Sequence, residues 1–530
     1  MNMKRFLSIF FVLPLVFVSC DLTMDEVSQD VNKPTQVHPK TILTQLCITT
    51  FGIEYYGVQP YRLAWQWDQR GGGGHFNFQR RNFISEYRRV TWCYDMVREA
   101  ERLNDPRYIH LAAYFRASWI FDTTRLFGDV PYTEAAQGRF DDPNFSPKYD
   151  PQEEIVAGLL RELAAANEAL GDYDNTKIDG DVIFGGDIRK WRQLINLYRL
   201  RILINCSMKQ TIAGERVGEL FAGIVGDPEG NPIMGALSDS AIRDEKGNME
   251  NYKYYNDNNF VSSYRISKFV VDWMRERGDM RLPKLAEMMI KLDGKNADPT
   301  DLANYKGVIP NPGATGDNNN TDMENGSQSR LKSKWYLEPV GPSAMNIGYP
   351  EQEFILAEAA LRGWTDDDPE THYLNGIRAA HEFLGVSSAD TRAYLGHEKV
   401  QFKGSDTEKL GKIITEKYLN FFMQGGNEAY FELRRTGYPD FSAYLTHNTD
   451  QIYNDGYLPL RYRYPQSEID NNNAQVSEAI KRLDKGDDRN SRMWLFICSR
   501  SFCHSGLRSS MSPISMTFDS GFLRLGLRII

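Results

Sequence analysis

Aromatic and polar side chains that could bind a sugar alternate in the stretch "YRLAWQWDQRGGGGHFNFQRRNF", Tyr61–Phe83. A site that holds a sugar without reacting with it needs flat aromatic faces for the apolar side of each ring, and amides, carboxylates or arginines for the hydroxyls. Trp65 and Trp67 share one face if the chain is extended, because side chains alternate along a strand. Four glycines then separate this pair from the next ring. We therefore predict ligand contacts at Trp65, Trp67, Asp68, His75 and Phe76.

The same stretch also has a purely structural interpretation. The two tryptophans would then pack on the scaffold, and Gly71–Gly74 would be a passive linker. A nucleotide-binding loop is excluded, because no Gly-Lys-Ser/Thr follows the glycines and no strand is evident before them. The two interpretations that stay open are a ligand site and a packed loop.

Two further groups of aromatic residues could line a ligand site. Tyr305, Trp335 and Tyr336 lie on either side of an asparagine-rich stretch, and could form one side of a pocket whose other wall is 65–76. Tyr254 lies in "NYKYYNDNNF" among several amides. Each of these residues fits the core or a loop anchor equally well.

No spaced catalytic or metal-binding signature accompanies these residues. The chain contains neither GxSxG nor HExxH, and its six cysteines supply no CxxC or histidine pair for zinc. Glycoside hydrolases need only two carboxylates roughly 5–10 Å apart, so an enzyme is the main alternative to a binding protein. A helical scaffold that binds only protein is the second. We predict no catalytic residue, no metal site and no cofactor.

The N-terminal sequence has the pattern of an export signal. A basic start precedes the apolar run 6–18, which is shorter than the ~20 residues that a membrane span needs. "FVSC" at 17–20 resembles the lipobox of bacterial lipoproteins, although phenylalanine stands where leucine is usual. We predict a signal peptide over 1–19 and lipidation of Cys20. The alternative is ordinary cleavage near Ser19.

The formal net charge of −9 limits the classes of partner that the protein can bind. Cleavage of the basic start would make the mature chain more negative still. Because a surface of this sign repels phosphate backbones, we expect no nucleic-acid partner.

Apolar residues at helical spacing predict a mainly α-helical fold for residues 20–494. The clearest stripes begin at Phe83, Val156, Trp191 and Phe354. Paired stripes with small residues at the contact, such as the alanines at 357, 359 and 360, suggest tetratricopeptide-like helix pairs.

Caps and loops divide the helical stripes. Asp150-Pro151 and Asp368-Pro369 are typical of a helix cap followed by the first helical residue, and Glu153 stands where a capping-box partner belongs. Two segments, 226–260 and 294–333, are rich in Gly, Asn, Asp and Pro, and are predicted to be long loops.

Five motifs follow one another in a specific order. They are "TRLFGDVPYTEA" (124–135), "WRQLINLYRLRILI" (191–204), "YPEQEFILAEAALRGW" (349–364), "EAYFELRRTGYP" (428–439) and "LPLRYRYPQSE" (458–468). Behind a lipoprotein signal they resemble the SusD/RagB family of outer-membrane nutrient-binding lipoproteins of Bacteroidetes-type bacteria. "DVNKPTQVHPKTIL" (30–43) is similar to the mature N-terminal motif of the second large branch of this family.

The resemblance implies a scaffold of tetratricopeptide-like helix pairs, with an irregular, loop-rich segment that carries the ligand face. It implies a binding protein without catalytic activity or cofactor. The implied partners are a SusC-like TonB-dependent transporter and an oligosaccharide or other oligomeric nutrient. The implied location is the outer membrane, lipid-anchored and facing the cell exterior.

The family motifs also have structural interpretations of their own. Gly437 before Tyr438 and Pro439 predicts a helix end, and Arg434 and Arg435 suit a helix C-terminus because of the helix dipole. We predict that these residues hold the fold together and do not contact the ligand.

The C-terminal residues 495–530 differ in composition from the rest of the chain. They are rich in serine, contain neither Lys nor Glu, and show no amphipathic period. We predict that a frameshift or a misread stop produced this tail. A lineage-specific appendage is the alternative.

Overall fold

The computed structural model describes residues 36–52, 67–69, 80–139, 143–244, 254–289, 297–308, 326–441 and 459–497, and these are mainly helical, as predicted. The helices are α1 Pro39–Phe51, α2 Ile84–Leu103, α3 Pro106–Phe127, α4 Gln152–Leu170, α5 Ile188–Asn205, α6 Val217–Val225, α7 Asn258–Ser262, α8 Lys268–Glu276, α9 Leu282–Leu285, α10 Tyr349–Leu361, α11 Pro369–Phe383, α12 Ser388–Gly396, α13 Asp406–Asn420, α14 Glu428–Thr436, α15 Gln466–Asn471 and α16 Asn473–Lys481. The strands are β1 Trp67–Gln69, β2 Thr211–Ile212, β3 Glu215–Arg216, β4 Ala241–Arg243, β5 Tyr264–Ile266 and β6 Ala344–Ile347.

Consecutive helices pack on one another through the first half of the chain, α2 on α3, α3 on α4, and α4 on α5. Three residues explain the tight turn between α2 and α3. Asn104 ends α2 in the left-handed conformation, which asparagine adopts more readily than most residues. The Asp105 carboxylate then accepts a hydrogen bond from the backbone N–H of Arg107, and Pro106 begins α3. Local sequence therefore sets the reversal.

The start of α4 differs from the prediction. Pro151 is the N-cap and makes no side-chain cap bond. The buried Asp150 carboxylate instead accepts hydrogen bonds from the backbone N–H groups of Tyr132 and Thr133, both at 2.9 Å. Glu153 accepts from the backbone of Ala213 and not from its own helix. The cap prediction was wrong because a long-range turn competes for the same carboxylates.

The second half is organised around α10, which packs on α11 and α13. Asp368 caps α11 as predicted, with its carboxylate accepting from the backbone of Glu370 and Thr371. A glycine lies at the contact between α10 and α11: a Cβ on Gly376 would lie 2.6 Å from the Phe354 ring. The alanines of α10 are largely buried as well. Small residues therefore allow the close packing, although the decisive one lies on the partner helix.

Helix α14 connects the two halves through buried ion pairs. Glu428 at its start accepts two hydrogen bonds from Arg125 of α3, at 2.6 and 2.9 Å. Arg435 near its end donates to both oxygens of Glu358 on α10, at 2.6 and 2.7 Å. Gly437 ends the helix in the left-handed conformation, as predicted. The arginine predicted to favour the helix end by its dipole therefore acts mainly through these long-range partners.

One of the two segments predicted to be loops carries a short strand. Strand β4 lies within 226–260 and pairs with β6, and β5 follows it and pairs with β1. Strand β1 precedes the glycine stretch, so the expectation of no strand there was wrong. The nucleotide-binding interpretation still fails, because Gly-Lys-Ser/Thr is absent.

The C-terminal segment folds back on the end of α3. Arg461 donates to the backbone carbonyl of Phe127, and the Tyr464 hydroxyl donates to that of Asp129. Leu495 and Phe496, which the predicted tail would include, are buried, so the packed chain extends to these residues. The origin of the residues beyond 497 stays a prediction.

Candidate ligand-binding site

A cavity of about 460 Å³ lies between the start of α2, the inner faces of α3 and α5, and the turn before α14. Its volume is within the range of roughly 300–1,000 Å³ that is typical of small-molecule sites. The wall combines arginine, amide, hydroxyl and carboxylate groups with tyrosine, tryptophan and phenylalanine rings, and it is built from several separate parts of the chain. Such a surface suits a ligand rich in hydroxyl groups.

One wall of the cavity comes from the start of α2. Ser85 and Arg89 are four residues apart in α2, so they fall on one side of that helix. Arg81, four residues before Ser85, lines the same cavity just ahead of the helix. The Arg89 guanidinium lies over the Trp119 ring, 4.0 Å from its centroid. Arg81 pairs with Glu86 at 2.8 Å. Cation–π and ion-pair contacts therefore hold both guanidiniums in place at the cavity.

The opposite wall depends on Asn346, which follows the middle of β6. Its amide donates to the carbonyls of Thr50 and Gly52, each at 3.1 Å, and accepts from the backbone of Gly425. Gly425 and Gly426 both have positive φ, which only glycine adopts at little cost. A single side chain thus joins the end of α1 to the turn before α14.

Of the three carboxylates that line the cavity, Glu86, Asp122 and Glu428, the last two lie in different electrostatic environments. Burial raises the pKa of Glu428, but the Arg125 and Arg201 guanidiniums outweigh burial and lower that pKa to about 2. Burial raises the pKa of Asp122, and its ion pair with Arg125 only partly offsets this. Glu428 is thus held as an anion with both oxygens engaged, and Asp122 is the carboxylate that more readily takes a proton.

The stretch predicted from sequence to bind ligand, 61–83, ends at this cavity. Arg80, Arg81 and Asn82, from the end of that stretch, line it. Trp65, His75 and Phe76, like the lipidation residue Cys20, lie outside the described residues. Of Trp67 and Asp68 only the backbone is described, as part of β1. Their contacts with a ligand stay predictions.

The other predicted aromatic residues lie in the protein interior. Tyr254, Tyr305, Trp335 and Tyr336 are 1–3 % exposed. The Phe260 ring contacts the rings of Tyr254 and Tyr336, which joins two of the predicted groups in one cluster. Their burial fits the core interpretation, and that any of them contacts a ligand stays a prediction.

Strand pairing brings two predicted regions together. Trp67 lies opposite Ile266, and Asp68 lies opposite Arg265, across the β1–β5 pair. The neighbouring Tyr264 packs edge-on against Phe260 of the aromatic cluster. The first and third candidate groups are therefore neighbours in space, although about 190 residues of sequence separate them.

Several cavity residues were not found by sequence reasoning. Arg81 lies in the predicted stretch but was not singled out, and Ser85 and Arg89 lie in α2, whose apolar stripe was used only to predict a helix. Their fourfold polar spacing was a usable signal. Asn346 and Gly425 gave no such signal, because their role depends on contacts between distant segments.

Within the described ranges, no group of three or more His, Cys, Asp or Glu side chains is arranged to hold a metal ion. None of the helices in that part of the chain is long and apolar enough to cross a membrane.

Comparison with known proteins agrees with the fold. A SusD homologue from Bacteroides fragilis is 31% identical, with a TM-score of 0.76 over 87% of this chain and 99% of that one. A Bacteroides vulgatus structure, described as an outer-membrane candidate for nutrient binding, is 30% identical, with a TM-score of 0.78 over 87% and 100%. A chitin-binding protein shares the fold at 22% identity, with a TM-score of 0.69 over 86% and 99%. No curated protein matches the chain.

The family model described as SusD-like, "Starch-binding associating with outer membrane", matches residues 43–465. This range includes the helices that surround the cavity, from α1 to the segment that returns to α3. The motifs in this sequence, the helical architecture and the family model agree, and the chain belongs to the SusD-like family.

Proposed function

We propose that this protein is a cell-surface lipoprotein that binds an oligosaccharide without cleaving it and delivers it to a SusC-like TonB-dependent transporter. The observation that carries the proposal is the cavity of about 460 Å³, whose wall includes Arg80, Arg81 and Asn82 from the end of the predicted stretch 61–83. Hydroxyl-rich ligands match such a wall, because each arginine, amide and carboxylate group can bond to a sugar hydroxyl.

The different protonation of Asp122 and Glu428 is the best argument for hydrolysis. A glycoside hydrolase needs one protonated and one ionised carboxyl group that both reach the sugar. Here the two oxygens of Glu428 accept from Arg125, and the residue is almost fully buried. A carboxylate that is engaged in this way is poorly placed to attack a sugar or to activate water. We therefore assign binding rather than cleavage.

The proposed location rests on the export signal and on the family. Cys20 would carry the lipid, and the acidic residues Asp21, Asp25 and Glu26 resemble the surface-export signal of such lipoproteins. A chain anchored there by lipid would face the cell exterior and meet its transporter in the plane of the membrane. A pull-down of the lipidated protein from outer-membrane extracts should therefore recover a TonB-dependent transporter.

Isothermal calorimetry with residues 21–497 and a panel of neutral and acidic oligosaccharides tests the binding proposal. The double variant Trp65→Ala/Trp67→Ala probes the predicted stretch, and Ser85→Trp probes the cavity by filling it. Phe145→Ala is the matched control, because this ring is 77% exposed on another surface segment. Incubation of each sugar with the protein, followed by chromatography, measures cleavage.

We expect saturable binding without cleavage, weakened by the double variant and unchanged by the control. Binding lost only in Ser85→Trp would place the ligand in the cavity rather than on the tryptophans. Release of shorter sugars would contradict the proposal and favour the enzyme. If no oligosaccharide of the panel binds and the pull-down still recovers the transporter, the result would favour a scaffold that binds only protein.

A further inference from the structure

Two arginines lie side by side next to the predicted ligand stretch. Arg265, in the middle of β5, forms an antiparallel bridge with Arg330, and its other neighbour across the β1–β5 pair is Asp68. Side chains of directly opposed residues in antiparallel strands lie on the same face. Arg265 is only 2% exposed, and Arg330 is partly exposed. Two like charges therefore share one face, and one of them is buried.

The described residues supply no carboxylate within salt-bridge distance of either arginine. Arg265 donates to the backbone carbonyls of Tyr264 and Ser262, and the Nε atoms of both arginines are buried without a hydrogen-bond partner. Burial and the neighbouring Arg330 charge lower the pKa of Arg265 to about 10. A buried charge without a counter-ion is costly, so this arrangement is unusual unless a ligand supplies the counter-ion.

Other buried arginines of this protein are compensated. Arg125, Arg281 and Arg435 each contact two carboxylates. Arg434 lacks a carboxylate but lies over aromatic rings, including that of Tyr430 at 4.3 Å. Among the described residues, none provides either form of compensation for the pair at 265 and 330.

Lysines extend the positive charge toward solvent. Burial lowers the pKa of Lys334, the charges of Lys284 and Lys332 lower it further, and the Glu338 carboxylate acts in the opposite direction. The nearby carboxylate of Glu287 is already bound by Lys332 at 3.0 Å and by a backbone N–H. This basic patch, Arg265, Arg330, Lys284, Lys332 and Lys334, is notable in a chain whose net charge is −9.

We propose that the basic patch binds an anionic group of the ligand, so that the oligosaccharide carries carboxylates or sulfates. Arg330 and Lys334 would contact the anion, and the charge of the buried Arg265 would attract it without direct contact. This inference rests on the proposed function and names the chemical class of its ligand. Carboxylates and sulfates both suit guanidinium groups, so the experiment separates them.

Calorimetry with two pairs of probes tests this inference: short oligogalacturonates beside their methyl esters, and sulfated maltooligosaccharides beside their neutral parents. The variants are Arg330→Gln, Lys334→Gln and Arg330→Lys, which keeps the charge. Arg98→Gln is the matched control, because it removes an exposed arginine from α2. Chemical denaturation of every variant reports whether the fold is kept.

We expect the acidic probe of at least one pair to bind roughly tenfold or more tightly than its neutral partner, because hydrogen bonds that involve charged groups are stronger than those between neutral groups. Arg330→Gln and Lys334→Gln should lose that advantage, while Arg330→Lys and Arg98→Gln keep most of it. Arg330→Gln should also unfold at a higher denaturant concentration, because it removes the repulsion on Arg265. A variant that loses binding and gains stability is folded, so misfolding does not explain the loss.

Equal binding of acidic and neutral partners, unchanged in Arg330→Gln, would overturn the inference and leave the proposed function intact. Failure of every sugar to bind would overturn both. A preference for the carboxylated or for the sulfated probe would assign the anion.

Discussion

Arg435 and Glu358 form a two-pronged ion pair that joins α14 to α10 across 77 positions of sequence. Both side chains are buried, and Glu432 contacts the same guanidinium from within α14. Lys417 of α13 pairs with the second oxygen of Glu432 at 2.9 Å. Three helices of the second half therefore meet at one network of buried charges.

Removal of one partner from this network should destabilise the protein strongly. Glu358→Gln leaves the Arg435 charge buried and only partly compensated, which typically costs about 3–5 kcal/mol. Arg216→Gln is the control, because it breaks an exposed pair with Glu219 that is worth about 0–1 kcal/mol. Urea unfolding curves measure both. Similar curves for the two variants would contradict the role of the network.

Acid should weaken the same network. Burial raises the pKa of Glu358, but Arg435 and Arg362 outweigh burial and lower it to about 2, against 4.5 in the unfolded chain. A carboxyl whose pKa is lowered by folding stabilises the protein above pH 4.5, and this contribution disappears as the pH falls toward 2. The difference in stability between wild type and Glu358→Gln should shrink across that interval. A difference that is independent of pH would contradict the ion pair.

A methyl group at the contact between α10 and α11 should not be tolerated well. In Gly376→Ala the new Cβ would lie 2.6 Å from the Phe354 ring, and overpacking of this kind typically costs about 1–3 kcal/mol. Gly223→Ala in α6 is the matched control, since no atom lies within 4 Å of its Cβ position. That variant should gain about 0.5–1 kcal/mol from helix propensity. Opposite shifts in thermal midpoint are the expected result.

The C-terminal boundary can be located by truncation. A chain that ends at Ile497 should be as stable as the full chain, if the later residues are a translated artefact. A chain that ends at Met493 removes Leu495 and Phe496 from the core, and should lose at least about 3 kcal/mol. It also removes the carbonyl of Ile497 that accepts from Lys209. Thermal unfolding of the three proteins measures this. Loss of stability on removal of 498–530 would favour a genuine appendage.

Loss of the Asn346 hydrogen bonds should weaken ligand binding in the cavity. Asn346→Ala removes the hydrogen bonds to Thr50, Gly52 and Gly425, but leaves the arginines of α2 in place. We expect oligosaccharide affinity to fall about tenfold or more if the cavity holds the ligand, because positioning groups act through geometry. Calorimetry beside Asn375→Ala, an amide on α11, measures the effect. Equal affinity in both variants would move the site away from the cavity.

Local sequence by itself determined the helical architecture and some of the helix boundaries. Periodic apolar residues mark one face of each helix, and the Asp368 cap and the Gly437 end depend only on residues next to them in the chain. The order of the motifs likewise indicated the family, which the family model confirms over 43–465.

Tertiary structure decided which residues meet. Asp150 does not cap α4 as predicted, because its carboxylate accepts hydrogen bonds from backbone N–H groups of another segment. Tyr336 is buried in an aromatic cluster. Arg265 and Arg330 became neighbours only through strand pairing. An arginine has the same sequence signature whether its counter-ion is a carboxylate of the protein or one that a ligand must bring. That difference is set by distances between segments far apart in the chain, which only the folded molecule fixes.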